Sequence, residues 1–114
     1  MTRALLLATM ALLTACHAFP SSDAARRGRA IVIQAQCGAC HQVPGVMGAT
    51  GEVGPPLSGF ARRTMIAGLL PNTPDNLTLW LRYPQRVVPG NAMPDMGLSE
   101  DQARDVAAYL DTLK

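Results

Sequence analysis

A chain of 114 residues has room for one compact domain built on one core, so any function must sit in one site. Hydrophobic residues make up 48% of the chain but aromatics only 4%, leaving a core short of large rings that a flat apolar cofactor would fill. A formal net charge of +2 with no dominant basic patch argues against nucleic-acid binding, and three cysteines are too few for a disulfide framework.

At the N-terminus, Arg3 precedes an apolar run from Ala4 to Leu13, the pattern of a secretory signal and too short to span a bilayer. The run ends in Leu13, Thr14, Ala15 and Cys16, which is similar to the bacterial lipobox, where the thiol accepts diacylglycerol before cleavage leaves the cysteine first. The alternative is an ordinary signal peptide with a chance cysteine. The expected organisation is a signal peptide over 1–15, a lipidated tether over 16–22 and a domain over 23–114. The expected location is the bacterial periplasmic side, anchored to a membrane through Cys16. Loss of Arg3 would then lower the formal charge from +2 to +1.

Ser22 is a candidate N-cap for a helix running towards Gln36, with Ala30, Ile33 and Ile31 as its apolar face. The stretch 44–56 carries Gly45, Gly48, Gly51 and Gly54 without a hydrophobic period and reads as a loop wrapped over something else. A short helical turn is expected over 64–68. Thr73 followed by Pro74 is a cap and first-turn proline, Leu77, Trp80 and Leu81 follow at helix spacing, and Pro84 ends the segment, predicting a helix over 74–83. Ser99 and Gln102 form a capping box ahead of an apolar stripe of Ala103, Val106, Ala107, Leu110 and Leu113. No strand-like alternation is present, so the expected fold is all-α, with three to four helices and long loops. Loops of that length in so small a domain need a scaffold, and a buried cofactor supplies one.

The residues Cys37, Gly38, Ala39, Cys40 and His41 carry the chemistry. Two thiols at this spacing can add to the two vinyl groups of one haem while the adjacent imidazole reaches the iron, the pattern of c-type haem attachment. A zinc site would need four ligands, and besides this pair and His41 only His17 in the tether is offered. A thioredoxin-like dithiol would need a βαβ context. A six-coordinate haem needs a second axial ligand, and since the only other histidine, His17, lies in the tether, a thioether is the natural candidate. Met93 is preferred because Val88, Pro89, Gly90, Asn91, Ala92 and Pro94 form a turn-rich segment able to press it towards the iron; Met96 is the alternative.

With these motifs in hand, the run from Gly28 to Lys114 resembles a class I, monohaem c-type cytochrome, which implies the cytochrome c fold around one covalently bound haem c. The resemblance implies that the helix before the cysteines crosses the C-terminal helix, with Gly28 and Ile33 against Tyr109 and Leu110. It sets Gly54, Pro55, Pro56 and Leu57 on a family segment in which the Pro55 carbonyl accepts a hydrogen bond from Nδ1 of His41. It puts Arg63, or the adjacent Arg62, at a haem propionate, Trp80 across the haem pocket, and Asn91 at a propionate. The run Pro89, Gly90, Asn91, Ala92, Met93 matches without a gap and strengthens Met93 as the iron ligand. A closer likeness, from Leu70 to Leu110, is to the cytochrome c domains fused to subunit II of haem-copper oxidases, without the copper domain and transmembrane hairpin of those subunits.

The function so implied is one-electron transfer by a His/Met-ligated haem c to or from a respiratory complex such as a terminal oxidase. The competing reading is a haem-based ligand sensor or a peroxidase with a displaceable methionine. The expected partners are redox proteins, a haem-copper oxidase or a dehydrogenase among them, together with the membrane through the N-terminal lipid, and the expected oligomeric state is a monomer.

Overall fold

The computed structural model describes residues 22–114. The expected signal peptide over 1–15, Cys16 and the expected tether up to residue 21 lie outside the described residues. Four helices form in order: α1 (Asp23–Gln34), α2 (Pro74–Arg82), α3 (Pro84–Val87) and α4 (Glu100–Leu110), with two short strands, β1 (Met65–Ile66) and β2 (Leu70–Pro71), between the first two.

The N-terminal helix starts where the sequence signals it, with the Ser22 hydroxyl accepting a hydrogen bond from the Ala25 amide at 3.1 Å and Asp23 in the first turn. Its buried face differs from the expected one. Ala25, Gly28 and Val32 face inward, Ile33 is 46% exposed, and Ala30 is exposed. The reason is the approach of α4: a Cβ built on Gly28 would lie 1.9 Å from the Asp105 carbonyl oxygen and 2.9 Å from Cβ of Tyr109. Small residues at the crossing bring the two backbones together, and that rotation turns the larger Ile33 outward.

The C-terminal helix carries the predicted capping box. The Ser99 hydroxyl accepts from the Gln102 amide at 3.1 Å, and the Gln102 side chain accepts from the Ser99 amide at 3.0 Å. Ala103, Val106, Ala107 and Leu110 are buried as the stripe predicts, and Tyr109 joins them. On α2, Thr73 caps Asn76 at 3.2 Å, Pro74 holds the first position, and Leu77 and Leu81 are buried. Thr78 is also buried, its hydroxyl donating to the Pro74 carbonyl at 2.8 Å. Pro84 ends α2 and at once begins the one-turn α3, the two roles of a residue that lacks an amide but has a preset φ.

Two expectations are corrected between residues 60 and 71. A 3-10 turn covers Phe60–Arg62, and the expected helical turn over 64–68 is instead a strand followed by a reversal. The strands pair antiparallel, Met65 with Pro71 and Ile66 with Leu70, so the chain is not strand-free. Ile66 anchors the pair in the core, while Ala67 and Gly68, at φ of 53° and 67°, turn the chain back; two successive left-handed residues cannot continue a helix. The core lies between α1 and α4, with Leu77 and Leu81 of α2 and Leu57, Phe60 and Ile66 of the loops closing it. No helix among the described residues is long and apolar enough to cross a membrane.

Candidate functional site

The cysteine motif begins directly after α1. Gln36, at φ 56°, takes the left-handed conformation that swings the chain out of the helix and into a 3-10 turn over Cys37–Ala39. The His41 amide donates to the Cys37 carbonyl at 2.9 Å, which winds both cysteines and the histidine into one tight turn. Cys37 and Cys40 are half-buried and not joined to each other. Burial pushes the Cys37 thiol above its ordinary pKa, and the neighbouring Cys40 adds to the effect against an opposing backbone hydrogen bond. A dithiol exchanger needs a thiolate, so this shift disfavours that chemistry.

The glycine-rich loop is bound to this turn through its backbone. The Gly51 amide donates to the Gly38 carbonyl at 3.0 Å, the Gly54 amide to the Cys40 carbonyl at 2.7 Å, and the Leu57 amide to the Gln42 carbonyl at 2.9 Å. A bridge between Gln42 and Thr50 closes the intervening reversal and buries Val43 and Ala49. The loop therefore wraps the motif as expected, with its backbone groups satisfied by the motif itself.

His41 is oriented from two sides. Its Nδ1 lies 2.7 Å from the Pro55 carbonyl oxygen. A carbonyl can only accept, so Nδ1 carries the hydrogen and donates, leaving the lone pair on Nε2. On the other side the ring sits in the space a side chain at position 54 would take: a Cβ on Gly54 would lie 2.3 Å from Cε1 of His41. The adjacent proline contributes its carbonyl and the glycine contributes its emptiness.

All eight residues expected to hold the cofactor border one cavity of about 490 Å³: Cys37, Cys40, His41, Pro55, Arg63, Trp80, Asn91 and Met93. Met96 borders it too. The volume lies in the range of about 300–1,000 Å³ typical of small-molecule sites. Its walls are mainly apolar, with Val32, Leu57, Leu81 and Leu110 reaching it from the core. Trp80 is half-buried at its edge. Arg63 borders the cavity, lies against the ring of Phe60 with its guanidinium carbon 5.2 Å from the centroid, and donates to the Pro56 carbonyl. Arg62 is exposed and does not border the cavity.

Asn91 sits differently from a simple propionate donor. Its Nδ2 donates to the Pro84 carbonyl at 3.0 Å and the Val88 carbonyl at 2.7 Å, while Oδ1 accepts from the Met93 amide at 2.7 Å. Both amide hydrogens are thus engaged by backbone carbonyls. Sequence reasoning missed Gln85, whose side chain bonds the same loop at Gly90, Asn91 and Met93. A lone glutamine after a proline carries no motif; only the folded loop brings its partners within reach.

The donor set in and around the cavity is two thiols, one imidazole with a free Nε2, and two thioethers. Among the described residues no three histidine, cysteine, aspartate or glutamate side chains gather as they would around a zinc or calcium ion. Soft sulfur and imidazole donors around an apolar cavity fit a haem attached through thioethers.

Comparison with known proteins agrees with that fit. The chain is 38% identical over 97 residues to cytochrome c oxidase subunit 2 of Alkalihalophilus pseudofirmus, covering 83% of this chain and 27% of that one. It is 32% identical over 97 residues to the Bacillus subtilis protein of the same description, covering 82% and 27%. Cytochrome c2 of Rhodopila globiformis is 46% identical over 43 residues, 37% of this chain and 41% of that one. The chain thus spans about a quarter of the length of the oxidase subunits it matches. No solved structure matches it. The family model described as cytochrome c matches residues 25–114, from the first buried turn of α1 to the last residue, and the chain accordingly belongs to the cytochrome c family of electron carriers, with one covalently bound haem c.

Proposed function

We propose that the chain carries single electrons on a haem c held by Cys37 and Cys40, ligated by His41 and Met93, and that it exchanges them with a respiratory complex of the haem-copper oxidase class. The observation that carries this reading is the hydrogen bond from Nδ1 of His41 to the Pro55 carbonyl, which leaves Nε2 as the basic nitrogen on a cavity that Met93 also borders. When bound, the haem supplies a reversible one-electron change at its iron.

The remaining roles belong to the chain. Cys37 and Cys40 would hold the group through two thioether bonds, each thiol supplying both the sulfur and the hydrogen that a vinyl group takes up, so attachment would need no oxidant. The Pro55 carbonyl accepts from Nδ1 of His41 and so fixes its ring, with Nε2 left to act as the ligand atom. Met93 offers a soft sulfur, and Trp80 and the aliphatic walls exclude water. Arg63 offers cationic N–H groups to a carboxylate at the cavity. The oxidase as partner rests on the likeness to oxidase subunit 2, and attachment to the periplasmic side of a membrane through a lipid on Cys16 rests on the sequence motif.

Carbon monoxide and the thioether absorption band near the red edge test the reading together. In the holoprotein the oxidised form is expected to show the band, and the reduced form to resist carbon monoxide. Met93→Ala is expected to abolish the band and open the iron. Loss of the band in Met96→Ala alone would assign the ligand to Met96, and rapid carbon monoxide binding by the unmodified protein would favour a sensor or peroxidase.

A further inference from the structure

The loop that carries Met93 is held by side chains. The Gln85 carboxamide donates from Nε2 to the carbonyls of Asn91 and Met93, both at 2.7 Å, and accepts from the Gly90 amide at 3.0 Å. The Gln85 amide in turn donates to Asp95 Oδ1 at 3.2 Å, which ties the far end of the loop to the first turn of α3. With Asn91 Oδ1 on the Met93 amide, both backbone polar groups of Met93 are fixed by side chains. Met96 borders the same cavity but is 42% exposed, and among the described residues no hydrogen bond holds its backbone. Two thioethers are therefore within reach of one site, and one of them is clamped.

We infer that Gln85 is a positioning residue that selects Met93 over Met96 as the thioether presented to the cavity, by fixing the backbone of the 90–93 loop through three hydrogen bonds. The inference rests on Met93 being the ligand. Gln85→Glu keeps the shape and the bond to the Gly90 amide, but a carboxylate cannot donate to the Asn91 and Met93 carbonyls, so two acceptors would face an acceptor. The holoprotein that combines this variant with Met96→Ala is expected to lose most of its red-edge thioether band and to bind carbon monoxide at least about tenfold faster, the factor corresponding to two lost hydrogen bonds. Gln85→Glu alone should keep whatever band Met96 can supply, whereas Met96→Ala in the unmodified background should leave the band intact.

A full-strength band and unchanged carbon monoxide binding in Gln85→Glu/Met96→Ala, where Met96 can no longer replace Met93, would overturn the inference while leaving Met93 as the ligand. Loss of the band in Met96→Ala alone would instead overturn the ligand assignment itself, so the two failures are distinct. Amide exchange in the unmodified holoprotein decides the matter if the variant does not fold. Gly90 is exposed and its amide donates to Gln85 Oε1, so its exchange should be slowed about tenfold or more relative to an open loop. Exchange of Gly90 at the open-loop rate would overturn the clamp.

Discussion

Gly54 shows how little an individual residue needs to contribute to be indispensable. Its missing Cβ leaves room for the His41 ring, whose Cε1 and Nδ1 would lie 2.3 and 2.7 Å from any added carbon. Those neighbours are ring atoms already fixed by the Pro55 carbonyl, so the imidazole can yield only by breaking that bond. Gly54→Ala is expected to lower stability by about 2 kcal/mol, within the range for overpacked sites. It should also shift the reduction potential of the holoprotein, because an imidazole deprived of the Pro55 bond is a weaker donor. Chemical denaturation and a potentiometric titration check the two effects. The Gly-Pro pair was visible in the sequence through resemblance, but the steric reason for the glycine was not, because it depends on a ring 13 positions away in the chain.

At the scale of elements, the crossing of α1 and α4 is fixed by close approach at Gly28 and by charge beside it. Arg27 donates to both carboxylate oxygens of Asp105, at 2.8 and 2.9 Å. The hydrogen bond from Arg27 holds the Asp105 carboxyl below its ordinary pKa, with the charge of Arg27 assisting and desolvation opposing. The folded value is below the unfolded one of about 3.9, so the stabilisation is complete above that value and is lost as pH falls through the folded value. Asp105→Asn should therefore melt a few degrees below the parent at neutral pH, and the difference should shrink as the pH falls below about 3.9. Thermal melts of both proteins across that range measure it. Gly28→Ala, which drives a carbon into the Asp105 carbonyl, should cost about 3 kcal/mol at any pH. The starts of the helices were legible because Ser22, Thr73 and Ser99 act on amides three residues away. The inward face of α1 was not legible, because Ile33 is the more hydrophobic residue and only contact with α4 favours the smaller ones.

Across the whole molecule, the cavity of about 490 Å³ reaches the core residues Val32, Leu57, Leu81, Val106 and Leu110. In the chain before attachment these walls either meet water or collapse, and either outcome sacrifices burial that a domain of this size can hardly spare. The double variant Cys37→Ala/Cys40→Ala is expected to keep part of its helical far-ultraviolet signal and lose fixed tertiary structure, with broad unfolding in place of a cooperative transition. A cooperative, high-melting apo form would refute that dependence. The sparse aromatic content had already pointed to a missing filler, and the long loops had pointed to a missing scaffold.

The sequence by itself determined the haem-attachment motif and the starts of α1, α2 and α4. The cysteine and histidine spacing, the caps and the apolar stripe of α4 are local patterns, readable because each partner lies within a few residues of the other. Only the tertiary structure decided which face of α1 is buried, that residues 65–71 form a strand pair, and that Gln85 and Asn91 hold the loop of Met93. Each of those depends on groups brought together by folding: a backbone carbonyl of α4 against Gly28, a left-handed turn opposite the core contact of Ile66, and a carboxamide whose three partners lie five to eight residues further along an irregular loop.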